Sequence, residues 1–210
     1  MHFLIDLFLH LDAHLTEAID HYGAWTYVLL FVIVYCETGL VITPFLPGDS
    51  LLFAAGSLAA LGAFGFWQLA GTLVLAAFLG DVTNYGVGRF LGARLFRDGS
   101  RLFKRKHLDA TNRFYEKHGS KALVMARFVP IVRTFAPFVA GIGRMKYLRF
   151  LSFSILASLL WVTICVGSGF LFGNIPVVKD HFSLAVLGII AISLIPAALG
   201  FLRSSRSGLQ

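Results

Sequence analysis

The feature that most constrains this chain is a pair of long apolar runs, each broken near its middle by prolines, glycines and charged residues. Residues 24–42 are apolar and long enough to cross a bilayer, which takes about 20 residues. They run straight into Thr43-Pro44-Phe45-Leu46-Pro47-Gly48-Asp49, where two prolines and a glycine stop any helix. A second arm, Leu51 to Ala63, follows at once and is too short to span comfortably. Residues 119–143 repeat the pattern: an apolar arm, a break around Pro130 and Pro137, then Ala140-Gly141-Ile142-Gly143. The economical reading is two re-entrant helical hairpins, 24–63 and 119–143. Pro44, Pro47 and Gly48 mark the first tip, and Pro130, Pro137 and Gly141 the second. Irregular backbone survives at membrane depth only where protein or a water-filled cavity covers it. Two broken tips therefore already point to a site.

Composition supports the membrane reading. Of 210 residues, 57% are apolar and 14% charged, against about 45–50% and about 25% in soluble domains. A soluble globule, a disordered chain, a collagen repeat and a coiled coil are all excluded on that ground. The fold class expected is an all-α integral membrane protein, one domain over 1–210. Apolar spans fall at 66–92, 147–173 and 182–202. Residues 1–22 read as an amphipathic helix in the interface, with Phe3, Leu4, Leu7, Phe8, Leu11 and Leu15 opposite Asp6, His10, Glu17 and His21. Its start lacks a basic region and its apolar residues are interrupted by acids and histidines, so no cleavable signal peptide is expected. Asp6, His10, His14 and Glu17 have helical spacing but no metal motif, and read as a solvated face. Cys36 and Cys165 lie in apolar segments and read as packing residues. No metal or cofactor is expected.

Charge placement sets the topology. No Lys or Arg occurs before Arg89, and residues 89–121 then hold ten. In a soluble protein such a balance suggests nucleic acid. In a membrane protein it marks the loop at 93–118, with its short amphipathic helix at 109–118, as cytoplasmic, and nucleic acid is not expected as a partner. The spans then alternate so that Arg203 and Arg206, beyond the third, also end in the cytoplasm. A full crossing by 24–42 would put either the acidic N-terminus inside or the basic loop outside.

An internal repeat agrees. Residues 62–92 align with 143–173 at an offset of 81, so that Gly62, Gly86, Gly88 and Gly92 fall on Gly143, Gly167, Gly169 and Gly173. Each half is a hairpin followed by a span, and the halves enter from opposite faces. Inverted repeats with broken helices place a binding site near the midplane and suit alternating access. The GxxxG pairs permit close helix approach, within the chain or between copies in a homo-oligomer.

Charges in lipid cost about 2.5–3.5 kcal/mol each on insertion scales and are functional by default. Five stand out: Glu37, Asp49, Asp81, Arg127 and Arg133. Glu37 and Asp49 flank the first tip, Arg127 and Arg133 flank Pro130 in the second. Two carboxylates are thus expected to face two guanidiniums across the repeat interface. Two arginines in a partly dry cavity make an oxyanion site for phosphate or carboxylate. Carboxylates beside an exchangeable anion can gate it or carry protons with it. Asp81, mid-span ahead of Asn84 and Tyr85, either joins this site or hydrogen-bonds a neighbouring helix. A purely structural set of ion pairs is the plain alternative. Arg144, Lys146 and Arg149 mark a cytoplasmic boundary. Trp25, Trp67 and Trp161 read as belt or packing residues.

Several stretches carry a resemblance: Phe45-Leu-Pro-Gly-Asp49 preceded by Glu37, Gly80-Asp81 with Tyr85 and Gly88-Arg89, Phe114-Tyr-Glu-Lys-His-Gly119, and Ala126-Arg-Phe-Val-Pro-Ile-Val-Arg-Thr-Phe-Ala-Pro-Phe-Val-Ala-Gly141. Over about residues 20–200 the chain resembles the DedA family, also called SNARE-associated Golgi or VTT-domain proteins. The resemblance implies a bacterial inner-membrane protein of inverted re-entrant repeats. It implies transport of polyprenyl phosphate or a related anionic phospholipid, driven by the proton motive force. The family's essential acidic and arginine positions fall on Glu37, Asp49, Arg127 and Arg133.

The reading is thus a lipid flippase. Arg127 and Arg133 bind the substrate, and Glu37, Asp49 and Asp81 gate it or couple protons. A proton-coupled exporter of small ions or drugs would use the same carboxylates without needing the arginines. A lipid-phosphate enzyme is disfavoured because the Ser-Gly-His plus Arg/His and spaced-Asp patterns of such enzymes are absent. A scaffold would leave the five charges unexplained.

Overall fold

The computed structural model describes residues 15, 17, 19, 21–40, 48–95, 119–172 and 175. Most of the helix expected at 1–22 lies outside these residues. So do the first tip with Pro44 and Pro47, the basic loop from 96 to 118, and the span at 182–202. Among the described residues every regular element is helical: α1 Trp25–Gly39, α2 Gly48–Ala60, α3 Phe66–Leu95, a 3₁₀ turn Gly119–Lys121, α4 Ala122–Ala126, α5 Pro130–Ile142 and α6 Tyr147–Phe172.

Two of these are long and apolar enough to cross a membrane, at Phe66–Phe90 and Tyr147–Phe172. The others are shorter. At 1.5 Å per residue the 15 residues of α1 rise about 22 Å and the 13 of α2 or α5 about 20 Å, below the ~30 Å of a hydrocarbon core. The short helices pack on the long ones in a crossed pattern. α1 lies against α3 and α4 against α6, while α2 lies against α6 and α5 against α3.

Glycines make the crossed contacts close. A Cβ on Gly56 in α2 would collide with the Val166 carbonyl of α6, and one on Gly141 in α5 with the Tyr85 carbonyl of α3. A Cβ on Gly88 in α3 would strike the Phe138 carbonyl, and one on Gly169 in α6 the Phe53 carbonyl. Tyr85 and Val166, like Gly88 and Gly169, stand 81 residues apart, the offset of the sequence repeat. The pairings are therefore reciprocal: each long helix receives a short helix from the other half at equivalent positions.

The helix ends are built alike. α2 closes on Gly62 (φ +84°), with Gly62 N–H donating to Ala59 O and Ala63 N–H to Leu58 O. This is the paired hydrogen-bond pattern of a helix ending in a left-handed residue. α5 closes in the same way on Arg144 (φ +50°), with bonds from Arg144 to Gly141 O and from Met145 to Ala140 O. The structural counterpart of Gly62 is thus Arg144, one residue beyond the Gly143 matched by sequence.

Two expectations for the second tip need correction. Pro137 breaks nothing: it lies inside α5. A proline removes one hydrogen bond from a helix, and tight packing in a membrane protein tolerates that loss. Gly141 is not at a tip either. It sits in the last turn of α5, where its missing side chain admits the Tyr85 carbonyl. The break lies upstream, at 127–129. Val129 is extended (φ −119°, ψ 105°), as steric conflict with a following proline demands, and Pro130 opens α5 at its first turn, where its absent N–H costs nothing.

The apolar core has two parts. One joins Leu30 and Val34 of α1, most of α2, Leu69 to Ala77 of α3, and Trp161 to Val166 of α6. The other gathers Tyr85, Leu123, Ala126, Ala136, Ala140 and Phe150. Asp81 and Asn84 fall between them along α3, at the level of the broken helix ends.

Candidate functional site

The five charged residues singled out by sequence converge in one place. Arg133, in the first turn of α5, reaches two carboxylates at once: Nη2 lies 2.5 Å from Glu37 Oε1 and Nη1 2.8 Å from Asp49 Oδ1. Glu37 comes from the last turn of α1 and Asp49 from the first turn of α2. One guanidinium therefore ties the two arms of the first apolar run to the start of α5. Gly48 makes this possible, since a Cβ there would collide with the Glu37 carboxylate.

Arg127 follows α4 and turns the other way. Its Nη1 lies 2.6 Å from Asp81 Oδ2 on α3, and Ser154 Oγ of α6 donates to the same oxygen at 2.7 Å. The expected pairing of two arginines with Glu37 and Asp49 is thus redrawn: both carboxylates belong to Arg133, and Arg127 takes Asp81. Asp81 does both things open to it by sequence, joining the cluster and bonding a neighbouring helix.

These are buried charges. Glu37, Asp81 and Arg127 expose 5%, 2% and 6% of their surface, whereas the Asp49 side chain keeps 21%. Removing one partner of a buried pair typically costs about 3–5 kcal/mol. Buried polar atoms without partners are rare in native structures, and two occur among these charged side chains: Arg127 Nη2 and Glu37 Oε2 have no hydrogen bond among the described residues. Around them lies a small cavity, large enough for about one water molecule, lined by Glu37, Thr38, Asp81, Arg127, Arg133, Thr134 and Trp161.

Sequence reasoning missed two residues of this site. Trp161, assigned to belt or packing, is buried on α6. Its indole Nε1 donates to Asp49 Oδ1 at 2.7 Å. Its ring carries Arg127 Cζ at 4.9 Å and Arg133 Cζ at 5.7 Å from the centroid. Trp25 and Trp67, by contrast, are 72% and 82% exposed, as belt residues are. Asn84 on α3 is fully buried and donates through Nδ2 to Thr38 O at 3.1 Å and Thr134 O at 2.9 Å. It stitches the end of α1 to the start of α5. Its spacing of three residues from Asp81, on one helix face, was the available signal. Pro44 and Pro47 lie outside the described residues, and Pro137 and Gly141 lie on α5 away from the break.

The fold and this cluster define a class: a helical membrane protein in which the ends of short helices present arginines and carboxylates to one another. The VTT domain matches residues 46–171. Protein DedA of Escherichia coli K12 is 49% identical over 210 residues, covering 99% of this chain and 96% of DedA. The uncharacterized membrane protein Rv0364 of Mycobacterium tuberculosis is 40% identical over 181 residues, covering 85% and 79%. The inner membrane protein YqjA of E. coli is 39% identical over 152 residues, covering 72% and 69%. No solved structure matches the chain. The chain belongs to the DedA family of VTT-domain membrane proteins.

Proposed function

We propose that this protein is a flippase that carries a polyprenyl phosphate, or a related anionic phospholipid, across a bacterial inner membrane, coupled to protons. The observation that carries the reading is the unpartnered Nη2 of Arg127, buried beside Arg133 in a cavity at the broken helix ends. Guanidinium N–H groups are strong donors to phosphate oxygens, and a buried donor without an acceptor is costly to keep. The cavity is too small for a phosphate while Arg133 holds Glu37 and Asp49. Binding therefore requires Arg133 to leave its carboxylates, and the lipid tail to exit sideways between helices.

Charge balance supplies the coupling. Two guanidiniums stand against three carboxylates, so an ionised site already carries one excess negative charge. A phosphate adds more, and protons entering with it restore the balance. Glu37 and Asp49, released from Arg133, are the groups that take them up. On this reading the lipid crosses chemically unchanged, so the proposed activity is transport and not catalysis.

The reciprocal glycine contacts support an inverted repeat of hairpin plus span, the arrangement that lets one half rock against the other. On this reading the arms at 24–63 and 119–143 enter from opposite faces. The basic loop and the C-terminus face the cytoplasm. Gly88 and Gly169 serve contacts within the chain, so a homo-oligomer would need other surfaces.

Purified protein in sealed vesicles should bring a polyprenyl phosphate to the opposite leaflet, and Arg133→Ala should abolish this. Uptake of a water-soluble cation without any lipid phosphate, insensitive to Arg133→Ala, would instead establish the exporter reading.

A further inference from the structure

One residue touches three of the five clustered charges, and sequence read it only as a belt or packing residue. The Trp161 indole N–H and the Arg133 guanidinium donate to the same oxygen, Asp49 Oδ1, at 2.7 and 2.8 Å. The ring lies within cation–π range, about 6 Å, of both guanidiniums, Arg127 at 4.9 Å and Arg133 at 5.7 Å. The two ion-pair groups, Arg133 with Glu37 and Asp49, and Arg127 with Asp81, are therefore joined through this one side chain.

We propose that Trp161 is a positioning residue that lowers the cost of parting Arg133 from Asp49, and so tunes how readily the site accepts a phosphate monoester headgroup. The inference rests on the lipid-phosphate reading above. When Arg133 turns to an anion, Asp49 Oδ1 loses its charged donor. The indole N–H remains on that oxygen and keeps it satisfied. The ring meanwhile holds both guanidiniums near one another, aimed at a common volume, without offering an acceptor that would compete with phosphate. A residue that merely filled space would need neither the N–H nor the aromatic face.

The difference is measurable. Trp161→Phe keeps a ring and removes the N–H; Trp161→Leu removes both. The probe is farnesyl phosphate, a short polyprenyl phosphate, titrated into the full chain in detergent and followed by phosphorus NMR. Trp161→Phe should weaken binding about tenfold, equivalent to about 1.4 kcal/mol, and Trp161→Leu more. In vesicles the Phe variant should raise KM by a similar factor while leaving the maximal rate within about twofold. Native Trp161 provides a second readout that leaves the site unaltered. In a chain carrying Trp25→Phe and Trp67→Phe, its emission should change saturably with farnesyl phosphate and not with farnesol. Binding by the wild type that is unchanged in Trp161→Phe, with a silent Trp161 emission, overturns the inference and leaves the transport reading standing. No binding by the wild type overturns both.

Discussion

At the scale of the residue, the arrangement makes Arg133 the pivot. It satisfies two carboxylates through two nitrogens, a geometry that a planar fork allows and a single ammonium does not. Arg133→Lys should therefore cut transport at least tenfold although charge is kept, as measured in vesicles against wild type. The carboxylates should differ in their structural weight. Asp81 is 2% exposed and held by both Arg127 and Ser154, whereas Asp49 keeps 21%. Asp81→Asn should therefore cost about 3–5 kcal/mol of stability and Asp49→Asn distinctly less, read as thermal unfolding in detergent. The five charges were legible in the sequence because charged residues within apolar, membrane-like runs are costly and stand out. Their pairing was not. Which carboxylate meets which arginine depends on the rotation of α3 and α5 about their axes, and no spacing along the chain encodes that. Trp161 was missed for a related reason: its chemistry is the same as that of Trp25 and Trp67, and only its burial separates it from them.

At the scale of the element, the ends of helices carry the information. The break before α5 was legible in Val129-Pro130, because a proline constrains the residue before it. Pro137 was misleading because whether a proline breaks a helix depends on what packs around it. Arg144 closes α5 in a left-handed conformation that glycine adopts without strain and arginine does not. Arg144→Gly should stabilise the protein by up to about 1 kcal/mol, seen as a modest rise in unfolding temperature. The close helix crossings should respond in the opposite sense. At Gly88 and Gly169 an added Cβ would meet backbone and not a movable side chain. Gly88→Ala and Gly169→Ala should therefore each cost about 1–3 kcal/mol, and by similar amounts, since the two contacts are counterparts.

At the scale of the whole molecule, the reciprocal packing links the two halves of the site. The first apolar run brings Glu37 and Asp49, and the second brings Arg127 and Arg133. Each half also rests a short helix on the other half's long one. Separating Arg133 from its carboxylates therefore loosens α5 from both α1 and α2, the motion that the proposed transport cycle would use. The offset of 81 residues exposed this repeat in the sequence, because paired glycines have to recur where paired backbones touch. The short helices showed it less clearly, since their matching glycines, Gly56 and Gly141, lie 85 apart. The measurement that tests the proposal most directly is movement of a polyprenyl phosphate between leaflets of sealed vesicles. It is made with and without a pH gradient, for wild type and Arg133→Ala. Movement that speeds up with the gradient and vanishes in Arg133→Ala is the expected result. Movement that ignores both the gradient and the substitution, from protein shown to be folded, would contradict it.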